Sequence, residues 1–134
     1  MLISELKEIL HNEGCSCVVY NGVEPRLFYR RGVADLYDLL RSEPGSLCGA
    51  MVADKVIGTA AAAIIVTGEV RELYTKAISH KALRLIEESN IKVSYDELIE
   101  YVINRAGDGM CPLERACRET NTAEEAMTIV DNWD

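Results

Sequence analysis

The stretch Asp54-Lys55-Val56-Ile57-Gly58-Thr59-Ala60-Ala61-Ala62-Ala63-Ile64-Ile65-Val66 decides how this chain is read. The run before it, Cys48 to Ala53, is small and apolar, and its pattern predicts a fully buried strand. Gly58 and Thr59 turn the chain. The alanine run that follows predicts a helix with side chains small enough to pack hard against a sheet. A strand, a tight glycine turn and a buried helix make an α/β core, and the start of that helix offers free backbone N–H groups to an anion.

Outward from that core, strands and helices alternate. Leu2, Ile3, Leu6, Ile9 and Leu10 fall at helical spacing, with Ser4 as the expected N-cap and Asn12 to Gly14 as the stop. Cys15 to Tyr20 predicts a strand, Asn21-Gly22 a turn, and Arg26 to Arg30 a second strand. Val33 to Leu40 carries a helical stripe. Val70 to Ile78 reads as a strand, and Ser79 as the cap of the helix holding Ala82, Leu83, Leu85 and Ile86. Ile91 to Val93 reads as a short strand. Ser94-Tyr95-Asp96-Glu97 has the form of a capping box, and predicts a helix through Leu98, Ile99, Val102 and Ile103. Pro112 marks another helix start, with Cys111 at its N-cap and Glu114 as the local capping carboxylate. Thr122 opens the last helix. The alternation predicts a single domain, 1–134, with a mostly parallel or mixed sheet of about five strands covered by helices on both faces.

The composition narrows the function classes. With 134 residues the chain has the length of one domain, and 49% hydrophobic content supplies one sizeable core. A net charge of −8 argues against nucleic acid and anionic membranes as partners, since both attract Lys/Arg patches. The longest apolar run, Ala60 to Val66, is too short to span a bilayer, and no signal peptide is read at the start. The five cysteines are odd in number and scattered, which suits reduced thiols and a cytoplasmic location.

Three stretches together resemble a known family: Val52 to Ala62, Ala77-Ile78-Ser79-His80-Lys81-Ala82, and Asn104-Arg105-Ala106-Gly107-Asp108-Gly109-Met110-Cys111-Pro112-Leu113-Glu114. Their order and spacing are similar to the bacterial domain-of-unknown-function family 1893. The resemblance covers nearly the whole chain, and its third stretch is the most specific. It implies a cytidine-deaminase-like fold, a three-layer α/β/α sandwich, and brings no activity with it. Zinc deaminases carry His-x-Glu on one helix and Pro-Cys-x-x-Cys on the next. The matching helix here begins Gly58-Thr59-Ala60-Ala61-Ala62-Ala63, and the next begins Ser79-His80-Lys81-Ala82. Neither supplies those ligands, so no metal and no cofactor is expected.

The candidate site is a rim of polar residues where an α/β sheet places its pocket. Asp54, Lys55, Gly58, Thr59, Ser79, Asn104 and Arg105 are the candidate ligand-binding residues, for a small polar or nucleotide-like molecule. Arg105 is suited to clamp an anion bidentately. Cys111 and Asp108 are the candidate catalytic residues. A thiolate at a helix start is stabilised, and thiolate is the reactive form, so Cys111 is expected to be the most reactive of the five thiols. Cys15, Cys17 and Cys48 are read as buried strand residues. The competing reading is a non-catalytic ligand-binding or oligomeric module, a homo-oligomer included, in which Gly58 and the alanines serve close packing and Cys111 is structural.

Overall fold

The sheet is built from strands whose composition matches their place in it. In the computed structural model, which describes residues 1–104 and 106–133, the elements run α1 (Ile3–Asn12), β1 (Cys17–Tyr20), β2 (Arg26–Phe28), α2 (Ala34–Ser42), β3 (Met51–Ile57), α3 (Thr59–Thr67), β4 (Glu72–Ser79), α4 (His80–Glu88), β5 (Lys92–Ile99), α5 (Pro112–Ala116) and α6 (Ala123–Asp131). The sheet order is β2-β1-β3-β4-β5. β1 runs antiparallel to both β2 and β3, while β3, β4 and β5 are parallel. Central β3 and β4 are covered on both faces, which explains why most of their residues are buried.

The two faces are covered unequally. Among the described residues, α1 alone covers one, where Leu6 and Leu10 pack on Val18, Met51, Ala53 and Tyr74. The other carries α2 to α6 over Val19, Val52, Leu73 and Ile78. The arrangement is a mixed five-stranded sheet in a three-layer α/β/α architecture. α3 lies at the centre of the thicker layer, and every residue from Thr59 to Ile65 is buried. Its small side chains let α2, α4 and α6 all reach it.

Several local expectations are corrected. Ser4 lies inside α1; the helix starts two residues earlier than a Ser4 cap requires, with Leu2 at the cap position, and the Glu5 carboxylate accepts the Leu2 N–H at 2.9 Å. Cys48 is exposed and lies in a turn, because Gly45 and Gly49 adopt positive φ (86° and 72°) that a strand does not use; β3 begins only at Met51. β3 then continues through Asp54 and Lys55, so these two are strand residues rather than a strand end. The largest correction is Ser94-Tyr95-Asp96-Glu97. It opens no helix but lies within β5, paired in register from Glu72↔Lys92 to Ser79↔Ile99. An isolated helix start must meet a nucleation cost, whereas β4 offers a ready ladder. A strand at the edge of a sheet keeps polar side chains, and that polarity gave the stretch its helix-start appearance.

Candidate functional site

The carboxyl ends of β3 and β4 lead directly into α3 and α4, so two helix N-termini lie side by side. At the second of these, Ser79 Oγ accepts the Ala82 N–H at 3.2 Å, as its sequence context predicts. The first is sealed differently. Gly58 has an extended backbone and its residue type supplies no cap. Instead the carboxylate of Glu114, from α5, accepts the Thr59 N–H with both oxygens, at 3.1 and 2.9 Å, and the Thr59 hydroxyl at 2.9 Å. Glu114 and Thr59 are both buried. The expectation that Glu114 caps its own helix is therefore overturned. The Cys111 N–H goes to the Val102 carbonyl at 2.8 Å, and Glu114 serves α3.

Gly58 is glycine for lack of space. A Cβ there would lie 2.2 Å from Glu114 Oε2 and 2.7 Å from Val102 Cγ2. Its conformation (φ −100°, ψ −172°) is open to any residue, so the constraint is close approach rather than backbone freedom. Lys81 fixes the far end of α5, donating from Nζ to the carbonyls of Cys117 at 3.2 Å and Arg118 at 2.6 Å. α5 is thus held at its first turn by Thr59 and at its end by Lys81.

Gly58, Thr59 and Ser79 lie at the two helix starts, and of the other predicted site residues Asp54, Asn104 and Asp108 have partners of their own. Asp54 sits in a row across the sheet, opposite Cys17 on β1 and Thr75 on β4. Burial pushes its carboxyl up to about 7, against the Val56 N–H at 3.2 Å and the Cys17 thiol, which both favour the carboxylate. Burial, and then Asp54 itself, raise the Cys17 thiol well above its ordinary value. Lys55 is exposed. Asn104 and Asp108 close their own loop. Asn104 Oδ1 accepts the N–H groups of Gly107 (2.8 Å) and Asp108 (3.2 Å), and its Nδ2 donates to Asp108 Oδ1 at 2.9 Å. Arg105 lies outside the described residues. Cys111 is half-buried at the start of α5, and Cys117, just beyond the end of α5, is buried, its thiol pushed up to about 11 by burial and then by Glu114.

Sequence reasoning missed Glu114 as the partner of Thr59. The available signal was a glycine-led helix with no local cap, together with a carboxylate on a helix of one turn. Two surface hollows are present among the described residues. One of about 400 Å³ is lined by His80, Lys81, Arg84 and Asn121, and one of about 200 Å³ lies between β1, β2 and α2 around Asn21, Arg26 and Leu39. Among the described residues, no group of three or more His, Cys, Asp or Glu is placed to hold a metal ion. The first turn of α3 presents Thr59 and three alanines, and α4 starts His80-Lys81-Ala82, so neither helix start carries the ligand pattern of a zinc deaminase. No helix among the described residues is long and apolar enough to cross a membrane.

Residues 5–133 match the family model described as Domain of unknown function (DUF1893). The chain is also similar to a solved structure, that of a DUF1893 family protein (TM1506) from Thermotoga maritima at 2.70 Å resolution. The two are 30% identical, the match covers 98% of this chain and 88% of that one, and the TM-score is 0.89. No curated protein matches.

Proposed function

The chain belongs to the DUF1893 family, and from that premise we propose that it is a non-catalytic module on a cytidine-deaminase-like framework, working in the cytoplasm by binding rather than by chemistry. The observation that carries this reading is the Glu114 carboxylate on Thr59. A helix N-terminus that could stabilise an anionic substrate is already occupied by an anion from the same chain. The surrounding polar groups are likewise bonded to one another: Ser79 to Ala82, and Asn104 to Gly107 and Asp108. The α5 helix behind Cys111 is only five residues long, so its dipole gives the thiol little activation.

The opposing reading is an enzyme acting through Cys111 or Asp108 on a small polar ligand. Timed iodoacetamide labelling of native protein near neutral pH, mapped by mass spectrometry, separates the two. The binding-module reading expects exposure alone to set the order, with Cys48 labelled first and half-buried Cys111 after it. Cys111 labelling faster than the exposed Cys48 would identify an activated thiol and restore the enzyme reading.

A further inference from the structure

The two edges of the sheet differ in length and cover. β2 is three residues long, and Phe28 packs into the main core. β5 is eight residues long and, among the described residues, has β4 as its only neighbour in the sheet. Its outer row of backbone groups has no strand partner among the described residues, and most of its side chains are exposed. Tyr95, Leu98, Tyr101 and Ile103 are each 39–60% exposed, which concentrates large apolar surface along this edge and the segment that leaves it. A long, unpaired edge of this kind is a template for another strand.

We propose that the partner strand is β5 of a second copy of this chain, antiparallel across a twofold axis perpendicular to the sheet, so that two five-stranded sheets join edge to edge. This deepens the binding-module reading and rests on it. The choice of a second copy comes from the charges. Asp96 lies on the α1 side, where it accepts the Tyr74 hydroxyl at 2.6 Å and faces Lys7 of α1 at 3.5 Å. Alternation puts Lys92 and Ser94 on that same side, and Val93, which packs against the main core, on the other with Tyr95. A perpendicular twofold keeps like faces together, so opposed residues must share a face. With Ser94 opposite Ser94 of the second copy, Lys92 meets Asp96 twice and Val93 meets Tyr95 twice. Opposite charges and an aromatic against a β-branched residue are both favourable cross-strand pairs. Moving the axis one residue on, to Tyr95, leaves Lys92 opposite Leu98, and moving it two residues on, to Asp96, sets that carboxylate against its own copy. Lys92 can reach out to make the contact: its side chain is 82% exposed, and among the described residues its ion pair is with Glu72 at 3.8 Å. Charges on an edge strand ordinarily discourage pairing. Here they are complementary in one self-pairing register.

Sedimentation velocity on the full chain tests this, using wild type, Lys92→Asp, Asp96→Lys, and an equimolar mixture of the two variants. Wild type is expected to dimerise. Each variant alone opposes like charges twice and should weaken the dimer by at least about tenfold. In the mixture both opposite-charge pairs return, one in each direction, and the dimer should reappear as a heterodimer. Amide exchange in wild type gives an independent reading that no substitution can compromise, with amides between 92 and 96 more protected in concentrated than in dilute protein. A monomeric wild type, or a dimer that survives both substitutions with exchange in this strand unchanged by concentration, overturns the proposal. Cys111 lies outside this strand, so its labelling and the dimer assay can fail separately.

Discussion

The β3–α3 and β4–α4 junctions lie side by side at one end of the sheet, yet they are closed by opposite means. Ser79 closes α4 from within, through an N–H three residues away. At α3 the closing group, Glu114, comes from 55 residues further along the chain and requires glycine at 58 to approach. A local cap forms with its helix. A distant cap ties two elements together, so its loss should also loosen α5 and the 102–111 segment. The first junction tolerates change cheaply; the second makes Gly58, Thr59 and Glu114 a single unit.

The sharpest way to break this contrast is Gly58→Val. A branched side chain there displaces Glu114 as well as meeting Val102. The expected cost is about 3 kcal/mol or more, overpacking added to the lost hydrogen bonds of Thr59. An unfolding midpoint in urea equal to wild type would show that α5 moves aside freely. Glu114→Ala should come next, at about 2–3 kcal/mol, since it leaves a buried N–H and hydroxyl unpaired. In that background Gly58→Ala should cost clearly less than it does in wild type, because one of its two obstructions is gone. Strictly additive costs would mean that the two residues do not form a unit.

A pH series sharpens the comparison inside β3. Asp54 titrates at about 7 in the folded chain and near 3.8 when unfolded. The folded state holds the proton longer, so this group's contribution is full below about pH 4 and is lost as pH rises through 7. The slope is at most about 1.4 kcal/mol per pH unit. Asp54→Asn should remove that slope, so the variant gains on wild type steadily between pH 4 and 7 in urea unfolding. Parallel stability curves for the two would contradict the burial of the charge. The smallest effect belongs to the local junction: Ser79→Ala should cost about 1 kcal/mol and leave the 102–111 segment untouched in amide exchange. Equal loosening of that segment by Ser79→Ala and Glu114→Ala would erase the distinction between the two caps.

These junctions also show what the sequence reveals. Ser79 and Thr122 are legible as caps because each accepts an N–H three residues on, at Ala82 and Glu125. The buried α3 helix and the mixed sheet are legible because their small and apolar residues have few other destinations. Glu114 is misread because its local pattern fits a cap on α5 equally well, and only the fold reveals the competing partner. β5 is misread for the same reason, since pairing with β4 outweighs a local helix signal. Around the site, what the sequence does not show is that Asp54 continues inside β3 and that Asn104 and Asp108 bond within their own loop, since both depend on pairings set by the fold.

One tie has a consequence for the order of folding during synthesis. Asp131 of α6 receives Arg41 Nε and Nη2 at 3.0 and 2.7 Å and the Tyr37 hydroxyl at 2.7 Å, all from α2. On the ribosome, α2 emerges about ninety residues before the group that fastens it. α3 likewise emerges well before Glu114. The early half of the chain therefore waits with its central helix uncapped and α2 unfastened, and closing such long loops is slow compared with local steps. Full protection against proteolysis should appear late and in one step, when α6 leaves the exit tunnel, rather than accumulating as each strand is made.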